Sequence, residues 1–475
     1  MKIEKNKGLL VALMVLVIGV VSISGCSSNS NDKNYNNSDG TYSNNDENYS
    51  NNDEGNNNPR SNYWAKTYGD ENFSDPWGVA IAPNNDVVVA GYTEKSGAGD
   101  GDAWVLRFDK NGKIKWQKTY GGNHWDGVYA VAPAPNGDMI AAGWTDSFGT
   151  WNHLGWILRI DQDGNVKWQK WYGRQEAEDY AVDDLEAVAV APDGDIIAVG
   201  YTMALSKGGT GDVWVARLTS DGNVKWQKIY GGKNDSDAHA VAVAPNGDII
   251  VAGETASFGA GDHDFWVLRL GSNGDIKWQK AYGGGDIDEA NCVAIAPDGG
   301  IVVGGSSESF KEGGFDDALI LKLDENGGIE WAKDFGAEAI DNDAFSLALT
   351  GNGDILVTAN YLLLLSSDGK LKWAKRGYWN FANDPSVIAG TDVRVTTDGK
   401  AALVAPGTDG LLVSMFDIDS VSRFSSKEGW HSANIEANDV QPEVTTTNSQ
   451  VVDGRAKVGA TNCKINNTNV TLKTR

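Results

Sequence analysis

The stretch Asn273–Ala290, NGDIKWQKAYGGGDIDEA, decides how the chain is read. Fifty-two residues earlier the chain reads DGNVKWQKIYGGKNDSDA, and earlier still NGKIKWQKTYGGNHWDGV. The phrase Trp-x-Lys recurs at Trp64, Trp116, Trp168, Trp226, Trp278, Trp331 and Trp373, at spacings of 52, 52, 58, 52, 53 and 42 residues. Self-similarity at a period near 50 residues marks a repeat architecture.

The pattern inside one unit says which architecture. AHAVAVAP (Ala238–Pro245) alternates small and β-branched residues, as a strand near a crowded axis must. Asn246–Asp248 is a tight turn, because Asn-Gly tolerates positive φ. IIVAGET (Ile249–Thr255) is a second strand, ASFGAGDHD (Ala256–Asp264) a loop, FWVLRL (Phe265–Leu270) a third strand, and IKWQKAY (Ile276–Tyr282) a fourth. Four strands per repeat predict a β-propeller with one blade per repeat. The array opens with a lone fourth strand at Trp64 and ends after a third strand, GLLVSMF (Gly410–Phe416). The economical solution is a ring of seven blades closed by the strand near Trp64, which removes exposed sheet edges.

The chain of 475 residues carries 40 Lys+Arg against 65 Asp+Glu, a net charge of -25. So acidic a surface repels phosphate backbones and excludes nucleic acid as a partner. Residues 1–26 form a lipoprotein-type signal: Lys2, Lys5 and Lys7 precede an apolar run from Gly8 to Ser22, then ISGC. That ending resembles a prokaryotic lipobox, which implies cleavage before Cys26 and lipidation of its thiol. An uncleaved membrane anchor is the alternative. Either form tethers the rest at the membrane, outside the cytoplasm. Residues 27–61 are Asn- and Ser-rich, with little to bury, and are expected to be a disordered linker. The propeller spans 62–419. Residues 420–475 are a Val-, Thr- and Asn-rich extension of extra strands or a small appendage, with no place assigned.

With the repeats laid out, a family likeness follows. APNGDIIVAGET, DFWVLRL and NGDIKWQKAYGG resemble repeats of the seven-bladed β-propellers of bacterial and archaeal surface proteins. A second likeness is to quinoprotein-like repeats, through DKNGKIKW (Asp109–Trp116). That likeness implies quinone-dependent dehydrogenases or an outer-membrane assembly scaffold. Quinone dehydrogenases typically have eight blades, however, and this chain has seven.

The repeated Trp residues read as packing between sheets, since large aromatics bury the most area. Cys292 stands where other repeats have Gly78, Ala130, Ala187 and Ala240, so it reads as a small core residue. The short turns between first and second and between third and fourth strands should share one plain face. The opposite face carries loops that vary between blades, where function commonly lies. It gathers His124, Trp125, Trp151, His153, His239, His263 and Asp264. No His-x-His or His-x-x-x-His spacing supports a transition-metal site.

An acidic residue precedes most first strands: Asp75, Asp126, Asp184, Asp237, Glu289 and Asp343. Such a ring suits Ca²⁺, a hard cation that prefers oxygen ligands. The favoured reading is that each carboxylate instead caps backbone N–H groups between blades. No cofactor is expected beyond that Ca²⁺. No nucleophile motif appears. The favoured function is a non-enzymatic cell-surface module that binds or scaffolds a surface protein or glycan. The alternative is a sugar-active or quinone-dependent enzyme at the same face.

Overall fold

The computed structural model describes residues 64–68, 74–94, 97–148, 153–173, 182–206, 211–310, 316–336, 342–377, 391–407 and 410–421, and short strands between 430 and 473. The signal segment with Cys26, the 27–61 linker and Trp151 lie outside the described residues. The chain forms seven antiparallel sheets in a ring. The innermost strands of blades one to seven are Ser74–Ile81, Asp126–Pro133, Ala187–Val190, Ser236–Val243, Asp288–Ile295, Ser346–Leu349 and Asp392–Val395. Blade six is short, because Ile355–Thr358 turns almost at once into Leu362–Leu365.

The ring closes through the first strand of the chain. Trp64–Tyr68 pairs with Gly410–Asp417 and completes blade seven, with Trp64 opposite Met415. Hydrophobic clusters fill the spaces between blades. Val88, Val105 and Tyr120 of blade one, for example, pack on Val131, Met139 and Trp156 of blade two. Third-strand Trp104, Trp156, Trp214 and Trp266 are buried.

The fourth-strand Trp works differently from a core residue. It is half-buried, and its indole N–H reaches into the next blade. Trp116 Nε1 donates to Gln162 O at 2.7 Å, Trp226 to Ser272 O at 3.0 Å and Trp278 to Glu325 O at 2.9 Å. The Tyr of the same phrase donates to the glycine carbonyl of that turn: Tyr120 to Gly164 at 2.8 Å, Tyr230 to Gly274 at 2.6 Å. The Lys lies over its own Trp ring, as Lys118 does over Trp116 at 5.9 Å. Trp, Lys and Tyr thus form a clasp on the hairpin of the neighbouring blade. The hairpin glycine must be glycine twice over: Gly164 has φ +78°, and a Cβ there would sit 2.9 Å from the Trp116 ring.

The C-terminal extension has a place after all. Its seven short strands each add a fifth strand to a blade, antiparallel to the fourth. Trp430–Ser432 pairs with blade six, Glu436–Asp439 with five, Glu443–Thr446 with four, and Gln450–Asp453 with three. Lys457–Ala460 pairs with blade two, Lys464–Asn467 with one and Leu472–Lys473 with seven. The tail therefore runs round the ring in reverse order as a belt. Six of its strands meet the glycine of the Tyr-Gly or equivalent phrase: Gly377, Gly336, Gly283, Gly231, Gly173 and Gly121.

Candidate functional site at the channel mouth

The first strands begin at the loop-rich face and end at the tight turns, so each blade offers the channel mouth the residues near its first-strand start. Four of these strands carry a β-bulge there. The register shifts around Trp77, Tyr129, His239 and Asn291 in blades one, two, four and five. A bulge inserts one residue and re-aims its side chain, which is why bulges recur beside binding sites. Glu186 holds the corresponding place in blade three, just before Ala187–Val190, with its N–H on Val199 O at 2.8 Å.

Blades one and two make an aromatic wall. Trp77 and Tyr129 lie 4.9 Å apart between ring centroids. Tyr92 stacks on Trp77 at 5.9 Å and on Trp125 at 5.8 Å, with ring planes 16° and 14° apart. Trp144 continues the wall, 4.2 Å from the ring of His153. Trp125 is 41% exposed, which sets it apart from the other large apolar side chains described.

Blades three to five make an acidic wall. His239 Nδ1 lies 2.6 Å from Glu186 Oε2 of the neighbouring blade. Ligand atoms of Glu186, Asp237 and His239 all fall within 4.8 Å of one another. Glu254 is the cross-strand partner of Asp237 and makes contact with Glu289 of blade five. Asp184 lies 3.6 Å from His153 Nε2, and Asp146 holds the other ring nitrogen of His153 at 2.9 Å.

The electrostatics follow from this crowding. Burial, with Glu186 and other acidic neighbours adding to it, pushes the Asp184 carboxyl up to about 7, against the opposing pull of His153. Burial and then Glu186 raise Asp237. Burial raises Glu254 too, with Glu289 and Asp237 adding to it against the pull of His239. Burial alone would lower His239, but Glu186 and Asp237 outweigh it and hold the imidazole well above the ordinary histidine value. Six carboxylates, Asp146 among them, therefore share one corner of the mouth with two imidazoles.

The residues expected from sequence separate into groups. Asp184, Asp237, Glu289 and His239 come together at the mouth, and His153 joins Asp184. Asp126 is one register step away and is buried. It accepts hydrogen bonds from Gly122 N at 2.7 Å and Ser147 Oγ at 2.6 Å, and from Thr145 Oγ1. Asp264 likewise accepts from Ala260 N and Gly261 N, at 3.0 and 3.1 Å. Asp75 is exposed, and Asp343 is buried in blade six. His124 lies 3.8 Å from Asp100 on the rim, and His263 keeps its Nδ1 buried at the start of the third strand of blade four. Cys292 is buried and donates to Gly304 O at 3.2 Å. Glu186, Glu254, Trp77, Tyr129 and Trp144 escaped the sequence reading. Their signal lies in two repeat columns: Trp77, Tyr129, Glu186, His239 and Asn291 all differ, and among Tyr92, Trp144, Tyr201, Glu254 and Ser306 only the two tyrosines agree.

A cavity of about 200 Å³ lies elsewhere, at the tight-turn face between blades two and three, lined by Pro135, Ile140, Arg159, Val190 and Ile196. Its lining holds no carboxylate or imidazole.

Comparison with known proteins agrees with the fold. Residues 191–224 match a family of unknown function, DUF5122, described as a β-propeller. A stretch of 154 residues, 30% of this chain, is 27% identical to the regulatory protein FlaEY of Caulobacter vibrioides, and spans only 15% of that protein's length. The Neurospora crassa Pan2 WD40 domain aligns over 72% of this chain and 89% of its own, at 12% identity and a TM-score of 0.45. Sqt1 of Chaetomium thermophilum aligns over 72% and 82%, at 13% identity and a TM-score of 0.42. A glucose dehydrogenase aligns over 74% and 98%, at 11% identity and a TM-score of 0.36. Likenesses at this level assign no activity. The chain is a seven-bladed repeat β-propeller whose residues 191–224 match the DUF5122 repeat.

Proposed function

We propose that the protein is an exported, membrane-anchored binding module, and that its channel mouth takes a glycan. The observation that carries this reading is the pairing of two walls. Trp125 presents an exposed ring, backed by Tyr92 and Trp77, and the same mouth carries a set of half-buried carboxylates. A sugar offers the matching surfaces: an apolar ring face to lie on an indole, and hydroxyls to donate to carboxylates. Export and anchoring rest on the signal segment and Cys26. Titrating the purified protein with a panel of surface polysaccharide fragments, read by tryptophan fluorescence and calorimetry, tests the site. Saturable binding that Trp125→Ala weakens at least tenfold is the expected result. Binding indifferent to Trp125, or none across the panel, rejects it.

A second reading rests on the Glu186–His239 contact. An imidazole held protonated by a carboxylate is what a general acid requires. Turnover of a bound saccharide, lost in His239→Gln, would convert the binding module into an enzyme.

A further inference from the structure

The acidic wall poses a question of charge. Glu186, Asp237 and Glu254 stand around His239, with Glu289 against Glu254, and like charges placed directly across a ladder, as Asp237 and Glu254 are, oppose folding. Glu254 Oε2 is buried and has no hydrogen-bond partner among the described residues. A buried carboxylate oxygen without a donor costs free energy unless a proton or a cation neutralises the group, and a cation at this corner would release the proton that burial now retains.

The geometry points to a divalent transition-metal site formed by Glu186, Asp237 and His239, spanning blades three and four, with Mn²⁺ or Zn²⁺ as the fitting ions. The donor set is one imidazole nitrogen and two carboxylate oxygens. That set suits borderline first-row cations. Calcium prefers six to eight oxygen ligands, so the histidine turns the site away from the Ca²⁺ expected from the carboxylate ring alone. Metal–ligand bonds of about 2.0–2.2 Å require ligand atoms about 3–3.5 Å apart. The observed separations bracket this, from 2.6 Å between His239 and Glu186 to at most 4.8 Å within the trio. Small side-chain rotations close the site.

The partners also fit the exchange that binding demands. The ion takes the place of the proton now shared between His239 Nδ1 and Glu186 Oε2, so metal enters as that proton leaves. The positive charge then also acts on Glu254, the cross-strand partner of Asp237, and on Glu289 against it. Sequence spacing could not show this trio. His239 and Asp237 are two residues apart on one strand, but Glu186 comes from the preceding blade, 53 residues away.

The site goes beyond the glycan reading and stands without it, because it is tested with metal alone. The full-length protein is stripped with chelator and titrated by calorimetry with MnCl₂, ZnCl₂ and CaCl₂, with melting temperature followed in parallel. Mn²⁺ or Zn²⁺ should bind at one equivalent per chain and raise the melting temperature. Affinity should fall at least tenfold in Glu186→Gln and in His239→Gln, and should weaken as pH is lowered, because the ligands must lose a proton. His263→Gln should bind as the parent does. Glu186→Gln is nearly isosteric, so it carries the test if His239→Gln fails to fold. Absence of binding at millimolar Mn²⁺ and Zn²⁺, equal binding in Glu186→Gln, or a preference for Ca²⁺ overturns the site.

Discussion

The two ends of the hairpins formed by first and second strands carry carboxylates in opposite circumstances. At the tight-turn face, Asp86, Asp138, Asp195 and Asp248 are buried, and each meets the arginine of its third strand at 2.6–2.8 Å. Each also meets the lysine of its fourth strand: Lys115, Lys167, Lys225 and Lys277. At the mouth, Asp184, Glu186, Asp237, Glu254 and Glu289 crowd together with histidines as their cationic partners. The first set is written into the repeat with its partners and holds the blade together. The second set has no repeated partner.

The sharpest way to test this contrast is one substitution at each end. Asp248→Ala strands Arg269 and Lys277 and should cost about 3 kcal/mol in urea unfolding, in the range for breaking a buried pair. Asp237→Asn relieves repulsion and should leave metal-free stability unchanged or raise it. If both substitutions destabilise equally, the two sets do not differ in kind.

Acidity separates the two ends next. Burial would raise Asp86, Asp138 and Asp248, but the lysine, arginine and asparagine around each outweigh it and hold them below the ordinary carboxylate range. Their stabilisation is present above the unfolded value of about 4 and is lost as pH falls through the depressed folded value. Asp184, Asp237 and Glu254 are raised, so their contribution is present below about pH 4 and is lost as pH rises through the folded values, near 7 for Asp184. The raised His239 and His153 act in the same direction. Melting temperature in metal-free buffer should therefore rise as pH is lowered from about 8 to about 5.5, then fall below about 4. A flat profile between neutral and mildly acidic pH removes the mouth from the account.

The smallest expected effect on stability comes from the belt. A backbone hydrogen bond contributes a net ~1 kcal/mol, and ordering a residue costs ~1–2 kcal/mol, so the belt gains little from its ladder alone. Ending the chain after Val421 should lower the melting temperature only modestly. It exposes the fourth-strand edges of seven blades, and such edges associate. The truncated protein should therefore elute as oligomers in size-exclusion chromatography. A monodisperse truncated monomer would show that the belt protects nothing.

Much of the ring was legible because its signals are local and repeated. Trp64 at the start and Gly410–Phe416 at the end announced the closing blade from strand order alone. The clasp was half legible: its Trp, Lys and Tyr were visible, but not that they grip the next blade rather than fill a core. The belt carried a signal on another scale. From Glu436 to Lys464 the strand starts fall seven residues apart, and Ala437, Val444, Val451, Val458, Ile465 and Leu472 keep step. Seven extended residues reach about 23 Å, a stride suited to stepping between neighbouring outer edges. A period that short hides from a search at 50 residues.

The site was the least legible part. Asp126 stands nine residues before its hairpin proline and Asp184 eight, and that single step puts them in neighbouring register positions with opposite fates. A one-residue step in a strand exchanges its two faces, and a bulge adds another step. The sequence by itself determined the blade, its turns and the number seven, because a strand and a tight hairpin depend on residues within a few positions of each other. The tertiary structure decided which side chains meet at the axis. Glu186 and His239 become neighbours only when two blades close side by side, and the charge they share belongs to that contact rather than to either strand.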